Sequence, residues 1–173
     1  PSLGLLATGI VRGRAAAWGR ALPPRSGGPR TVSLASLVRA NRFATSSVVV
    51  RKECVRLCGG FEESLPLAQD WDLWLRIAAR WETAVLPAPL TWYRLHQGQR
   101  SGAALAMRRA EIAVLSRAAQ REGAAAERLI RRRLAWARCR VGSALLREGR
   151  PREAVQMLAA SLRANPLGVV AWG

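Results

Sequence analysis

The stretch "AQDWDLWLRIAARW", residues 68–81, is where the fold is decided. Placed at 3.6 residues per turn, Trp71, Leu73, Trp74, Leu75, Ile77, Ala78 and Trp81 spread over a broad apolar arc. Asp72, Arg76, Ala79 and Arg80 take the remainder. That spacing predicts an amphipathic helix. Its two aspartates read differently. Asp72 stands four residues before Arg76, the favourable order for an ion pair on a solvated face. Asp70 falls near the middle of the apolar arc, flanked by Trp74, Ile77 and Trp81. A carboxylate aimed at a core must be hydrogen-bonded, neutralised or facing a cavity. Asp70 is therefore either the N-cap, bonding the first free N–H groups from outside the helix, or an acid directed into a pocket. Both readings stand at this level.

The flanks of the helix place it in a layered domain. Upstream, "TSSVVVR" (45–51) carries the β-branched run Val48, Val49 and Val50, suited to a buried strand. "KECVRLCGGF" (52–61) follows as a short helix stopped at Gly59-Gly60, where a left-handed cap suits glycine. Downstream, "TAVLPAPLTWYRLH" (83–96) predicts two short strands around Pro87 and Pro89. Before all of these, residues 1–32 begin with a short apolar stretch and run into "ALPPRSGGPR" (21–30), a loop marked by Pro23-Pro24 and Gly27-Gly28. Alternating helix and strand signals give an α/β domain. From about residue 103 onward the chain is mostly Ala, Leu, Arg and Glu, and reads as an all-α tail.

Composition narrows the classes of function. Half of the 173 residues are hydrophobic, enough for a packed core and against wholesale disorder. The net charge of +17, from 28 Lys+Arg against 11 Asp+Glu, favours anionic partners in general. The arginines are scattered among alanines and glycines, however, with no basic stripe interleaved with aromatics of the kind single-strand binders use. Arg131-Arg132-Arg133 lies inside a helical pattern, so nucleic acid is not the partner these residues favour. Three cysteines, Cys54, Cys58 and Cys139, with one histidine, His96, make neither a disulfide framework nor a zinc set. "LGLLATGIV" is shorter than the roughly 18 residues of a membrane span, and the expected location is cytoplasmic, with the inner membrane surface an alternative. The chain begins at Pro1 rather than Met and ends in an apolar run, as expected of a piece of a longer protein.

The order of signals from Ser46 to Ser101 carries a resemblance. A strand ending in Arg51 is followed by "GGFEESL", then "QDWDLWLR", then "YRLHQGQRS". This resembles the C-terminal half of the catalytic domain of family 2 glycosyltransferases. Those GT-A fold enzymes show a strand ending in Arg, then G-G-F-D-E, E-D-x-D-L-x-x-R and Y-R-x-H. The resemblance implies an inverting transferase that moves a sugar from a nucleotide-sugar donor to an acceptor hydroxyl, in glycan or lipid-linked saccharide assembly. It casts Asp70 as the general base, a role that needs a carboxylate within hydrogen-bond reach of the acceptor. Gln69 departs from the family, which often has Glu there.

Further roles follow from the same resemblance, each beside a structural alternative. Gly59 and Gly60 allow close approach of a substrate, or simply end a helix. Trp71 and Trp74 stack on a sugar, or fill the core. His96 ligands a divalent metal (Mg or Mn) or contacts the diphosphate, or merely closes a strand. Arg94 and Arg100 hold phosphate by bidentate contact, or are two more arginines of many. The family's Asp-x-Asp metal ligands are missing here, because Asp70 and Asp72 on a helix point to different faces. The 173-residue chain alone is therefore expected to lack transferase activity.

In the tail, "AWARCRVGSALLREGRPREAVQMLAASLRANP" (135–166) resembles one tetratricopeptide repeat. It has Gly142, Ala154 twelve residues later, Leu158, a small residue at Ser161 and a closing Pro166; Trp172 lies where the next repeat would place its tryptophan. "REGRP" supplies the turn. A generic helical hairpin fits the residues as well. The expected organisation is residues 1–102 as a partial GT-A-like α/β domain, 103–134 as a helical connector and 135–173 as a truncated repeat. One repeat cannot bury its own face, so repeats would imply a protein partner. The alternative function is a helical-repeat scaffold or interaction module with a degenerate α/β part.

Overall fold

A computed structural model describes residues 2–13, 27–95 and 104–165. The chain is α/β with a helical C-terminal part. It divides into two compact units, Pro1–Glu62 with Leu73–Gly102, and Glu63–Asp72 with Ala103–Gly173.

The first unit is built on a mixed four-stranded sheet of order β2-β4-β1-β3, with β1 Leu3–Gly13, β2 Arg30–Thr31, β3 Val48–Val50 and β4 Glu82–Arg94. β1 and β4 run parallel at its centre, and β3 and β2 flank them antiparallel. The apolar start of the sequence is thus a central strand, with Leu5 and Ala7 each 1% exposed. The valine run, expected in a buried sheet, forms the edge strand β3 instead, and Val49 is 69% exposed.

β4 is one strand of 13 residues, not two. Proline has no N–H to give a ladder, so within a sheet it needs an edge or a bulge. Here the register slips where the prolines fall: Thr8 pairs with Leu86 but Gly9 with Pro89, leaving Pro87 and Ala88 as extra residues. Gly9 makes the bulge possible, since a Cβ there would lie 2.5 Å from the Pro87 carbonyl oxygen.

Among the described residues, three α-helices belong wholly or partly to this unit: α1 Leu34–Arg39, α2 Lys52–Leu57 and α3 Gln69–Ala78. Ser33 caps α1, its Oγ accepting from the Ser36 N–H at 3.2 Å. α2 ends in a Schellman turn. The Gly60 N–H donates to Val55 O at 2.9 Å and the Gly59 N–H to Arg56 O at 3.0 Å. Gly59 takes φ +80° and Gly60 φ +74°. α3 forms where the periodicity predicts, and the division between units passes through it, between Asp72 and Leu73.

The second unit contains α4 Ala104–Arg121, α5 Ala124–Arg147 and α6 Pro151–Ala164. α5 runs unbroken through residues 134 and 135. Val141, Leu145 and Ala154 form a buried cluster, with Leu105, Ile112 and Met157 against it. The α5–α6 turn follows from "REGRP". Gly149 at φ +71° closes a second Schellman turn, with Arg150 N–H on Leu145 O at 2.9 Å, and Pro151 opens α6 where its missing N–H is harmless. Gly142 lets the two helices meet, because a Cβ there would lie 2.7 Å from Leu158 Cγ. The Ser161 hydroxyl donates to Ala135 O at 2.6 Å across the same interface. Among the described residues no helix is long and apolar enough to cross a membrane.

Candidate functional site

The chain enters α3 through an unusual backbone. Ala68 has φ +60°, the described residues' one non-glycine in the left-handed region. There its Cβ crowds the following carbonyl, which costs about 1–2 kcal/mol. The Asp72 N–H then donates to Ala68 O at 3.2 Å, the helix's opening hydrogen bond. Nothing in the sequence signals this, since alanine is not a left-handed former. It sits two residues before Asp70 and four before Asp72.

Asp72 is buried, at 1% side-chain exposure, and its Oδ1 accepts from Arg121 Nη2 at 2.9 Å. The solvated setting expected for Asp72 is therefore corrected: its carboxylate is buried, and Arg121 is a partner from far along the chain. The Arg76 guanidinium donates to the Cys58 carbonyl oxygen, and Arg80 Nη1 to Leu57 O at 3.0 Å. These two arginines, four residues apart in the last turn of α3 and just beyond its end, satisfy carbonyls left open at the C-terminus of α2, where positive charge is favoured.

Asp70 is neither the N-cap nor a core acid. It is the second residue of α3 and half-buried, with Oδ1 accepting from the Trp71 N–H at 2.7 Å. Its place in the first turn sets a negative charge near the positive end of the helix dipole. Of the two aspartates, Asp70 is the less buried.

The segment Glu63–Asp72 belongs to the helical unit. Arg117 Nη2 donates to Ser64 Oγ at 3.0 Å, and Arg121, one turn on along α4, holds Asp72. Trp71, at 2% exposure, has no face to offer a sugar, so the sugar-stacking role is corrected to a core role. The Arg133 guanidinium lies 6.0 Å from the Trp71 ring and 4.4 Å from Trp136. Arg133 is 4% exposed, with Nη2 3.0 Å from Glu111 Oε2. Burial lowers its pKa, against the pull of Glu111. Trp74 is likewise buried at 2%, with Phe61 edge-on at 6.4 Å.

Gly59 and Gly60 serve the α2 turn, and an added Cβ at either would meet open space. Arg94 ends β4 and is exposed. His96 and Arg100, like Ser101, Pro166 and Trp172, lie outside the described residues. Among those that are described, no group of three His, Cys, Asp or Glu side chains could hold a metal, and Asp72 is committed to Arg121. The divalent metal that the resemblance implies was expected at His96, outside the described residues, and no chemical step is routed through it. Cys54 and Cys58 are not joined in a disulfide. Compared with family models, curated proteins and solved structures, the chain finds no significant match in any of the three.

Proposed function

We propose that this chain is the acceptor-side half of an inverting glycosyltransferase of family 2 type, with Asp70 as its general base. The observation that carries the reading is the contrast between the two aspartates: Asp72 is buried and neutralised by Arg121, while Asp70 stays half-exposed in the first turn of the same helix. A base needs a carboxylate that an acceptor hydroxyl can reach. It takes that proton as the oxygen attacks the anomeric carbon and the nucleoside diphosphate departs from the opposite face. The order β3, α2, glycine turn, α3, β4 supports the same reading, since it follows the order of the motifs. Gly59, Gly60, Arg94, Arg100 and His96 belong to the proposal as substrate contacts, as does a cytoplasmic setting. Asp70→Asn, in the longer protein that the resemblance implies, should abolish transfer and leave donor binding intact.

A second reading is favoured by α6. Val155 and Leu162, seven residues apart on one face, are 63% and 54% exposed. A repeat of tetratricopeptide type would cover such a face with its neighbour, making the helical unit an interaction module. If this reading alone is right, Val155→Asp with Leu162→Asp disrupts a complex, and Asp70→Asn affects nothing beyond stability.

A further inference from the structure

The three long helices of the second unit enclose an open groove of about 480 Å³. α4 contributes Ser116 and Gln120, α5 contributes Arg131 and Arg138, and α6 contributes Arg163. Among the described residues, no Asp or Glu lines it. Its volume falls in the range of small-ligand sites, roughly 300–1,000 Å³.

The charges in the groove are unequal in freedom. Arg131 is already paired with Glu127 at 2.6 Å. Arg138 Nη1 donates to Ala160 O at 3.2 Å, a bond that positions the guanidinium without neutralising it. Arg163 makes no ion pair among the described residues. Among the described residues, therefore, two guanidiniums without a carboxylate partner line one concavity, together with a hydroxyl and an amide.

We propose that this groove binds a phosphate monoester dianion, held between Arg138 and Arg163 with Gln120 and Ser116 as neutral partners. Two guanidiniums match a dianion in charge, and their planar forks match phosphate oxygens in geometry. Burial first, and then the charge of Arg163, lower the pKa of Arg138. A dianion between them relieves that repulsion, which a monoanion does only in part. The site stands independently of the transferase reading, because none of its residues is Asp70 or its neighbours.

The test is calorimetric titration of the 173-residue chain with glycerol 3-phosphate at fixed ionic strength. Saturable one-to-one binding is expected, tightening as pH rises through about 6, where a phosphate monoester loses its second proton. Arg163→Gln and Arg138→Gln should each weaken it by about tenfold or more. Arg152→Gln, at an exposed α6 position outside the groove, should leave it unchanged. Arg163 is exposed, so its variant keeps the test valid should Arg138→Gln unfold. Sedimentation with phosphatidylcholine vesicles, with and without phosphatidic acid, separates the sources. Arg163-dependent capture only with phosphatidic acid assigns a lipid headgroup, and binding of glycerol 3-phosphate alone assigns a soluble ester. Absence of saturable binding to both overturns the proposal, as does equal weakening by Arg152→Gln or equal affinity for formate.

Discussion

Removing the carboxylate of Asp72 strands the Arg121 guanidinium, itself one-third exposed, against a place built for its partner. Loss of one member of a fully buried pair costs about 3–5 kcal/mol. With Arg121 in contact with water, Asp72→Ala should cost about 1–3 kcal/mol. A double-mutant cycle with Arg121→Ala in urea would show coupling, and strict additivity would refute the pair. Asp70→Asn keeps the shape of a half-exposed side chain and should change stability by less than about 1 kcal/mol. Ala68→Gly should go the other way. By relieving the left-handed strain at φ +60° it should stabilise the fold, by up to about 1 kcal/mol. Part of this was legible in the sequence. The wheel set Asp70 apart from Asp72, but it put Asp72 on a solvated face and could not show Arg121, because a wheel sees only local neighbours. Arg121 is 49 residues away.

At the scale of elements, Gly142 is the exacting position of the α5–α6 interface. Its Cβ would lie 2.7 Å from Leu158 Cγ and 3.3 Å from the Ala154 carbonyl oxygen. Gly142→Val should therefore cost about 1–3 kcal/mol by overpacking, and Leu158→Ala in the same chain should recover part of it in thermal denaturation. Glu153 ties the start of α6 to Arg150 at 2.7 Å and to Arg109 of α4 at 2.9 Å. The Arg150 hydrogen bond first, and then that of Arg109, hold its carboxyl below the ordinary 4.5. Between the two values the unfolded chain binds more protons than the folded one. This contribution is complete above pH 4.5 and lost as pH falls through the depressed value. Acid unfolding of Glu153→Gln should lack that component, and because the pair is exposed, salt should shrink it. Helices and their turns were readable here because their signals are local: "CGG" and "REGRP" both end helices through glycine at positive φ. The strands were less so. "LGLLATGIVRG" is too rich in glycine and leucine to announce a central strand, and Pro87 and Pro89 concealed a continuous β4. The bulge opposite Gly9 that tolerates them is a contact between segments far apart in sequence.

For the molecule as a whole, the two units carry different parts of the account. The order of strand, helix, glycine turn and helix was legible as a series of motifs and supports the transferase reading. The assignment of Glu63–Asp72 to the helical unit was not, because Arg117 and Arg121 come from a stretch whose alanine-rich composition carries no functional signal. The 173-residue chain alone should transfer no sugar from nucleotide-sugar donors, and turnover by it would mean that a donor site exists within this chain. The most direct test of the central claim is the turnover of Asp70→Asn in the longer protein, measured at saturating donor beside the donor's Kd. The account expects kcat to fall by about 10²–10⁴-fold, the range for loss of a general base, with Kd unchanged and the fold intact. Turnover within a few-fold of the unsubstituted protein would contradict it.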